Sequence, residues 1–285
     1  MLRSLYKGLP VLFLYFFISS CKTDAPVPSY LHVTSAQLKT ATGQGSSKAD
    51  FKDAWIQVDQ DIIGTFELPA TIPVLKTGTH KVKIQPGIIT NNNPETRNPY
   101  QMVNPVIVPN VVLKENEISS LDTISTAYAS DVAFDWMEDF DTGAKSIDSS
   151  YRSKTEFLLK PDYAYEGVAG GGVEMTESKN VFEIKTKSTY TFALGTVVFL
   201  EFHYKSNEGF NIGFIDNTAI GTPLDYYLLS LPSSNDSWKK VYIDLSHIST
   251  TVNSDKFNIV FVGKKTSAAP ISYVYFDNFK ILHIK

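Results

Sequence analysis

The chain has 285 residues, 43% hydrophobic and 13% aromatic, with 26 basic against 30 acidic side chains and a formal net charge of −4. That mild acidity argues against nucleic acid or anionic lipid as a partner, since both demand a basic face. A single cysteine, Cys21, excludes a disulfide framework and thiolate metal sites, so folding must rest on an apolar core.

In chain order, Arg3 and Lys7 precede an apolar run from Leu9 to Ile18, followed by Ser19-Ser20-Cys21. The run is about half the ~20 residues that span a bilayer. An ordinary secretory signal fits the charge and the apolar run but favours Ala-x-Ala before its cleavage site. Small residues leading directly into a lone cysteine resemble the bacterial lipoprotein signal, which implies cleavage after residue 20 and acylation of Cys21. Two or three acyl chains, the number that resemblance implies, would anchor stably where one holds marginally. The partner so implied is the lipid bilayer, through acylated Cys21. Lys22-Thr23-Asp24 places no Asp next to the cysteine and partly resembles the Lys-acidic run of surface lipoproteins of Bacteroidetes-type bacteria. The implied location is the outer membrane, with the periplasmic and the cell-surface side both open. Ala25-Pro26-Val27-Pro28-Ser29 reads as a stiff spacer, giving a tether over 21–29.

Beyond the tether, short runs of period two are separated by Gly, Asn, Asp, Ser and Pro, which predicts an all-β chain of two antiparallel β-sandwiches. Ala54, Ile56 and Val58 form one buried face, and Val82 and Ile84 another between outward lysines. Further on, Val198, Leu200, Phe202 and Tyr204 oppose Glu201, His203 and Lys205. Phe210, Ile212 and Phe214 oppose Asn211. Val241, Ile243 and Leu245 oppose Tyr242 and Asp244, and Phe257, Ile259 and Phe261 oppose Asn258. A boundary near Tyr128–Asp135 divides 30–130 from 131–285.

The first half carries Val58-Asp59-Gln60-Asp61-Ile62-Ile63-Gly64 and Leu75-Lys76-Thr77-Gly78-Thr79-His80, which resemble the PEGA-type, immunoglobulin-like repeat of bacterial envelope proteins. The resemblance implies a spacer or interaction module. Asp59 starts a hairpin, and without the usual following glycine the turn is expected to be longer; Gly64 permits close backbone approach and Gly78 a turn. In the second half, Met137-Glu138-Asp139-Phe140-Asp141-Thr142-Gly143, the Trp238 to Leu245 segment and Val274-Tyr275-Phe276-Asp277-Asn278-Phe279 resemble the jelly roll of carbohydrate-binding and galactose-binding-like modules. Phe276 and Phe279 share a face only if a bulge intervenes.

That resemblance implies a structural calcium held by Glu138, Asp141 and Asp277, against a plain role in turns. It also implies a glycan site. Glu201, His203, Asn211, Tyr242 and Asp244 would share an outward face if their strands are neighbours, with Tyr226 and Tyr227 as an aromatic platform. The competing reading is an ordinary wet sheet face with buried tyrosines, and Trp55, Trp136 and Trp238 read as core or interface anchors. Gly170-Gly171-Gly172 has no Lys-Ser/Thr or opening helix after it and reads as a flexible turn rather than a phosphate cradle. The one cluster with acid–base potential is His203 with Glu201 and Glu208, unaccompanied by Gly-x-Ser-x-Gly or His-Glu-x-x-His. The expectation is a non-catalytic envelope lipoprotein binding glycan or another surface polymer. The alternatives are a structural accessory subunit docked on an envelope protein, or a glycan hydrolase whose paired acids meet only in space.

Overall fold

The computed structural model describes residues 26–217, 224–248 and 256–285, and Cys21 with Lys22-Thr23-Asp24 lies outside them. Ten strands form the first sandwich: β1 (Ser29–Val33), β2 (Ser35–Lys39), β3 (Asp53–Val58), β4 (Asp61–Glu67), β5 (Ala70–Val74), β6 (Gly78–Ile89), β7 (Arg97–Pro99), β8 (Val106–Leu113), β9 (Ile118–Ser120) and β10 (Thr123–Ala127). One sheet runs β4-β3-β6, with β7 and β8 both pairing to β6. Facing it are β5-β1-β9 and its continuation β2-β10. The β1–β9 and β2–β10 pairs are parallel while the other ladders are antiparallel. Ser29, assigned to the spacer by sequence, already belongs to β1, where its hydroxyl donates to the carbonyls of Val74 and Lys76. The alternating residues Ala54, Ile56, Val58, Val82 and Ile84 meet Leu31, Val33, Ile72 and Val74 in the core between the sheets.

The hairpin at Asp59 is shorter than the sequence suggested. Val58 pairs with Asp61, so the loop is the two residues Asp59-Gln60, with Asp59 at φ +56°. Aspartate tolerates that left-handed conformation, which replaces the missing glycine. The extra residue is absorbed one turn later as a bulge, where Ile56 faces Gly64 but Gln57 faces Ile62. Gly64 is required there for its φ of +148° rather than for a backbone contact.

The second sandwich contains β11 (Val132–Glu138), β12 (Ile147–Ser149), β13 (Leu158–Lys160), β14 (Gly170–Met175), β15 (Val181–Thr186), β16 (Val198–Ser206), β17 (Phe210–Asp216), β18 (Leu224–Leu231), β19 (Lys239–Asp244), β20 (Phe257–Lys264) and β21 (Ser272–Ile284). Antiparallel sheets of order β13-β14-β21-β16-β19, with β11 also on β21, and β12-β15-β20-β17-β18 pack face to face. Phe202, Phe261, Phe276 and Phe279 interlock at the centre, ring centroids 5.2–6.0 Å apart, with Trp136 stacked on Phe279 at 5.0 Å. The expected bulge exists. The β16–β21 register slips between Glu201 and His203, and Asn278 sits at φ +55°, which turns both Phe276 and Phe279 inward.

Gly170-Gly171-Gly172 corrects the sequence reading. The three glycines form part of strand β14, between β13 and β21, not a turn. A Cβ would lie 2.1 Å from the Tyr163 carbonyl oxygen at Gly170, 2.3 Å from the Phe157 ring at Gly171 and 2.7 Å from the Tyr275 ring at Gly172. Close packing of large rings, rather than flexibility, selects glycine here.

The two sandwiches share a third core. Phe51, Ile88, Tyr100, Met102 and Tyr128 from the first pack on Phe199, Tyr242 and Leu282 from the second. This joint covers part of the outward face of β19-β16-β21, and it decides where a ligand can and cannot reach.

Candidate functional site

The period-two pattern correctly sends Glu201 and His203 out of the second core, but both remain buried, at 2% and 3% exposure. Register explains their company. Glu201 lies between Tyr242 on β19 and Lys280 on β21, and His203 between Lys240 and Asp277. The first sandwich then closes over them. The hydroxyls of Tyr100 and Tyr128 donate to the Glu201 carboxylate, which also pairs with Lys240 at 2.9 Å. Lys280 donates to the Tyr128 hydroxyl at 3.1 Å and to the Ser46 carbonyl at 2.6 Å. The Tyr242 hydroxyl accepts the Asp50 N–H at 2.8 Å, and its carbonyl accepts the Asn91 N–H at 2.8 Å.

The electrostatics follow from that enclosure. Burial pushes the Glu201 carboxyl up, but Lys240, Lys280 and the Tyr100 hydroxyl outweigh it and hold the group below its ordinary range. Burial pushes Lys280 down to about 8. Burial, then Lys240, Lys280 and Lys48, push His203 down to about 2, so its ring stays neutral and stacks on Tyr165 at 4.2 Å. Glu201, His203 and Tyr242 are therefore buried in the joint and do not form the open outward row that the sequence suggested. Glu208 lies elsewhere, accepting from Thr266, Ser267 and Ser272, so the acid–base cluster read from sequence does not assemble.

The candidate calcium ligands are each engaged by backbone amides. Glu138 accepts the N–H groups of Phe140 and Ser146 and the Ser146 hydroxyl. Asp141 accepts the Val168 N–H at 2.7 Å. Asp277 accepts the N–H groups of Tyr165, Glu166 and Asn278, while burial pushes it up to about 7. Among the described residues no group of three or more His, Cys, Asp or Glu is placed to hold a metal ion. Each carboxylate takes up one or more backbone N–H groups, so the three serve as loop anchors.

Tyr226 and Tyr227 separate because neighbours on a strand point to opposite faces. Tyr226 turns in and stacks on Phe214 at 4.9 Å, whereas Tyr227 points out and is 59% exposed. Asn211 joins it. In the outward row, Asn211 stands opposite Ser230, whose hydroxyl donates to its side-chain carbonyl, and two positions along β17 Gly213 stands opposite Tyr227. Arg152, which sequence reasoning missed, lies over this same face. It reaches from the loop after β12, pairs with Asp225 on β18, lies 3.5 Å from Glu183 on β15 and sits over the ring of Tyr151, itself 88% exposed. The result is one open sheet face carrying two exposed tyrosines among an amide, a hydroxyl, a guanidinium and two carboxylates. The period-two pattern of Val181 to Thr186 could have placed Glu183 there; the irregular Tyr151-Arg152 loop gave no signal.

No family model matches the chain, and no curated protein matches it. Among solved structures it is similar to a carbohydrate-binding module described for the promiscuous specificity of the β-sandwich superfamily, at 10% identity over 90% of this chain and 98% of that one, TM-score 0.41. It is also similar to a family 30 carbohydrate-binding module of a Clostridium thermocellum cellulosomal cellulase (20% identity, 51% and 89% covered, TM-score 0.35). A third is a xylan-binding domain from Paenibacillus barcinonensis (11% identity, 51% and 97% covered, TM-score 0.36). These likenesses are partial and concern strand framework alone.

Proposed function

We propose that this protein is a non-catalytic, lipid-anchored envelope protein that binds glycan on the outward face of β12-β15-β20-β17-β18. The carrying observation is the exposed ring of Tyr227 beside Asn211, Ser230 and the Arg152–Asp225 pair. A flat aromatic face takes the apolar side of a pyranose, and planar polar groups around it hydrogen-bond the hydroxyls. That Glu201, His203, Glu208 and Glu138 are each engaged in folding contacts supports binding rather than turnover. The anchor reading rests on the residues up to Cys21, and the outer-membrane reading on Lys22-Thr23-Asp24.

A glycan array probed with the mature protein tests the reading. Saturable binding weakened about tenfold by Tyr227→Ala, and left intact by the core variant Tyr226→Phe, supports it; an array silent for wild-type protein overturns it. Replacing Cys21 by Ser should release the protein from membranes, and continued attachment would refute lipidation. The accessory-subunit alternative draws on exposed Ile62, Leu75 and Ile118 of the first sandwich. Co-purification of one fixed envelope protein together with a silent array would favour it.

A further inference from the structure

The joint between the sandwiches carries more cation than its carboxylates can match. Lys240 and Lys280 share the single buried Glu201, and Lys48 is close enough to act on His203. Lys52 pairs with Asp50 at 2.6 Å, and Lys239 has no ion-pair partner among the described residues. Five lysines thus lie in or beside the joint against Glu201, Asp50 and Glu166, which acts on Lys280, in a chain whose formal net charge is −4. Like charges held together raise the energy of the unliganded state and attract a counter-ion from solution.

The geometry supplies a place for one. A cleft of about 260 Å³ opens beside β19, lined by Lys52, Lys239, Lys240, Asn92, Asp50 and Tyr242. β19 ends its sheet, so its outer backbone edge is unpaired except where Thr90 and Asn91 bridge to Tyr242 and the Asn91 side chain accepts the Asp244 N–H. Lys52, Lys239 and Lys240, the Asn92 carboxamide and a strand edge therefore line one hollow between two domains, a favoured location for small-ligand sites. The volume falls just short of the roughly 300–1,000 Å³ of drug-sized pockets, which suits one sugar unit rather than a long oligomer.

We infer that this interdomain cleft binds the carboxylate of an acidic saccharide, with Lys239 and Lys52 as its charged contacts and Asn92 and the β19 edge meeting the sugar hydroxyls. Lys240 sets the local field while paired to Glu201. Lys239 and Asp50–Lys52 belong to different sandwiches, so occupancy also ties the two domains together. The cleft is separate from the Tyr227 face, and its test does not depend on that reading.

The test is calorimetric titration of the mature chain with digalacturonate, with galactobiose as the uncharged counterpart and inorganic phosphate as the plain anion. Expected are saturable digalacturonate binding that weakens at higher salt, a loss of about tenfold in Lys239→Ala and in Lys52→Ala, and no change in Tyr227→Ala. Absence of digalacturonate binding, equal binding of galactobiose, phosphate bound as tightly as digalacturonate, or unchanged affinity in Lys239→Glu would each overturn the inference. Should a variant fail to fold, amide shifts of wild-type protein decide. Perturbation by digalacturonate centred on Asn92 and Val241 supports the site, and perturbation elsewhere sinks it.

Discussion

The hydroxyl of Tyr100 in the first sandwich donates to the carboxylate of Glu201 in the second, 101 positions along the chain. This contact converts what reads as a wet strand face into the centre of a domain joint. The neighbouring cations set the charge balance there, because Glu201 is the one carboxylate holding both Lys240 and the Tyr128–Lys280 pair.

Removing that carboxylate should be severe. Glu201→Ala leaves Lys240 buried without its paired carboxylate and strips Lys280 of its main counter-charge, which costs about 3–5 kcal/mol when one partner of a buried pair is lost. Denaturant unfolding should show that loss, whereas Tyr100→Phe, which deletes one hydrogen bond to a charged group, should cost roughly 1.5–3 kcal/mol. Equal and small effects from both would show that the joint does not hold the domains.

His203 and Asp277 face each other across β16 and β21 and carry opposite pH dependences. His203 stays neutral when folded, at about 2, against 6.5 unfolded, so the unfolded chain binds the extra proton and stability rises with pH up to 6.5. Asp277 is raised to about 7 against 3.8, so the folded chain binds the extra proton and stability falls as pH rises through 7. Between pH 5 and 6.5 the two largely cancel. In Asp277→Asn stability should climb over this window, by up to about 1.4 kcal/mol per pH unit, and in His203→Gln it should decline. Parallel slopes in the two variants would contradict the assignment.

The glycine strand makes a steric prediction. Gly171→Ala drives a methyl against the rings of Phe157 and Phe140, 2.3 and 2.7 Å from the new carbon. Overpacking of this kind costs about 1–3 kcal/mol, read as a lower thermal midpoint. A neutral outcome would restore the reading of that segment as a flexible turn.

Metal removal should change little. Melting curves in chelator and in added calcium should superpose, because Glu138, Asp141 and Asp277 already hold backbone amides. Glu138→Ala should nonetheless destabilise by about 1–3 kcal/mol, since it strips acceptors from the amides of Phe140 and Ser146. A calcium-dependent rise in midpoint that vanishes in Glu138→Ala would reverse this view.

Much of the strand framework was legible from alternation. Val82 and Ile84, Phe210 to Phe214, and Phe257 to Phe261 all face cores as their period predicts, and the slip at Asp277-Asn278 is a bulge. Alternation failed where a second layer intervened. It marks Glu201, His203 and Tyr242 as pointing away from their own core, and cannot say that a distant Tyr100 and Phe51 will cover them. It paired Tyr226 with Tyr227 by proximity in sequence, although a strand turns adjacent side chains to opposite faces. Arg152 was invisible because its partners Asp225 and Glu183 come from strands that only topology brings alongside.

The sequence by itself determined the all-β character and the inward residues of most strands, because a two-residue period and turn chemistry are local properties. It also supplies the expectation of an anchor at Cys21. Tertiary structure alone decided which outward residues meet solvent. Burying Glu201 with its lysines and tyrosines, freeing Tyr227, and opening a cationic cleft beside β19 all depend on contacts between strands some fifty to two hundred residues apart. Burial and Coulomb energy are set by distance in space, and no local pattern in the chain encodes that distance.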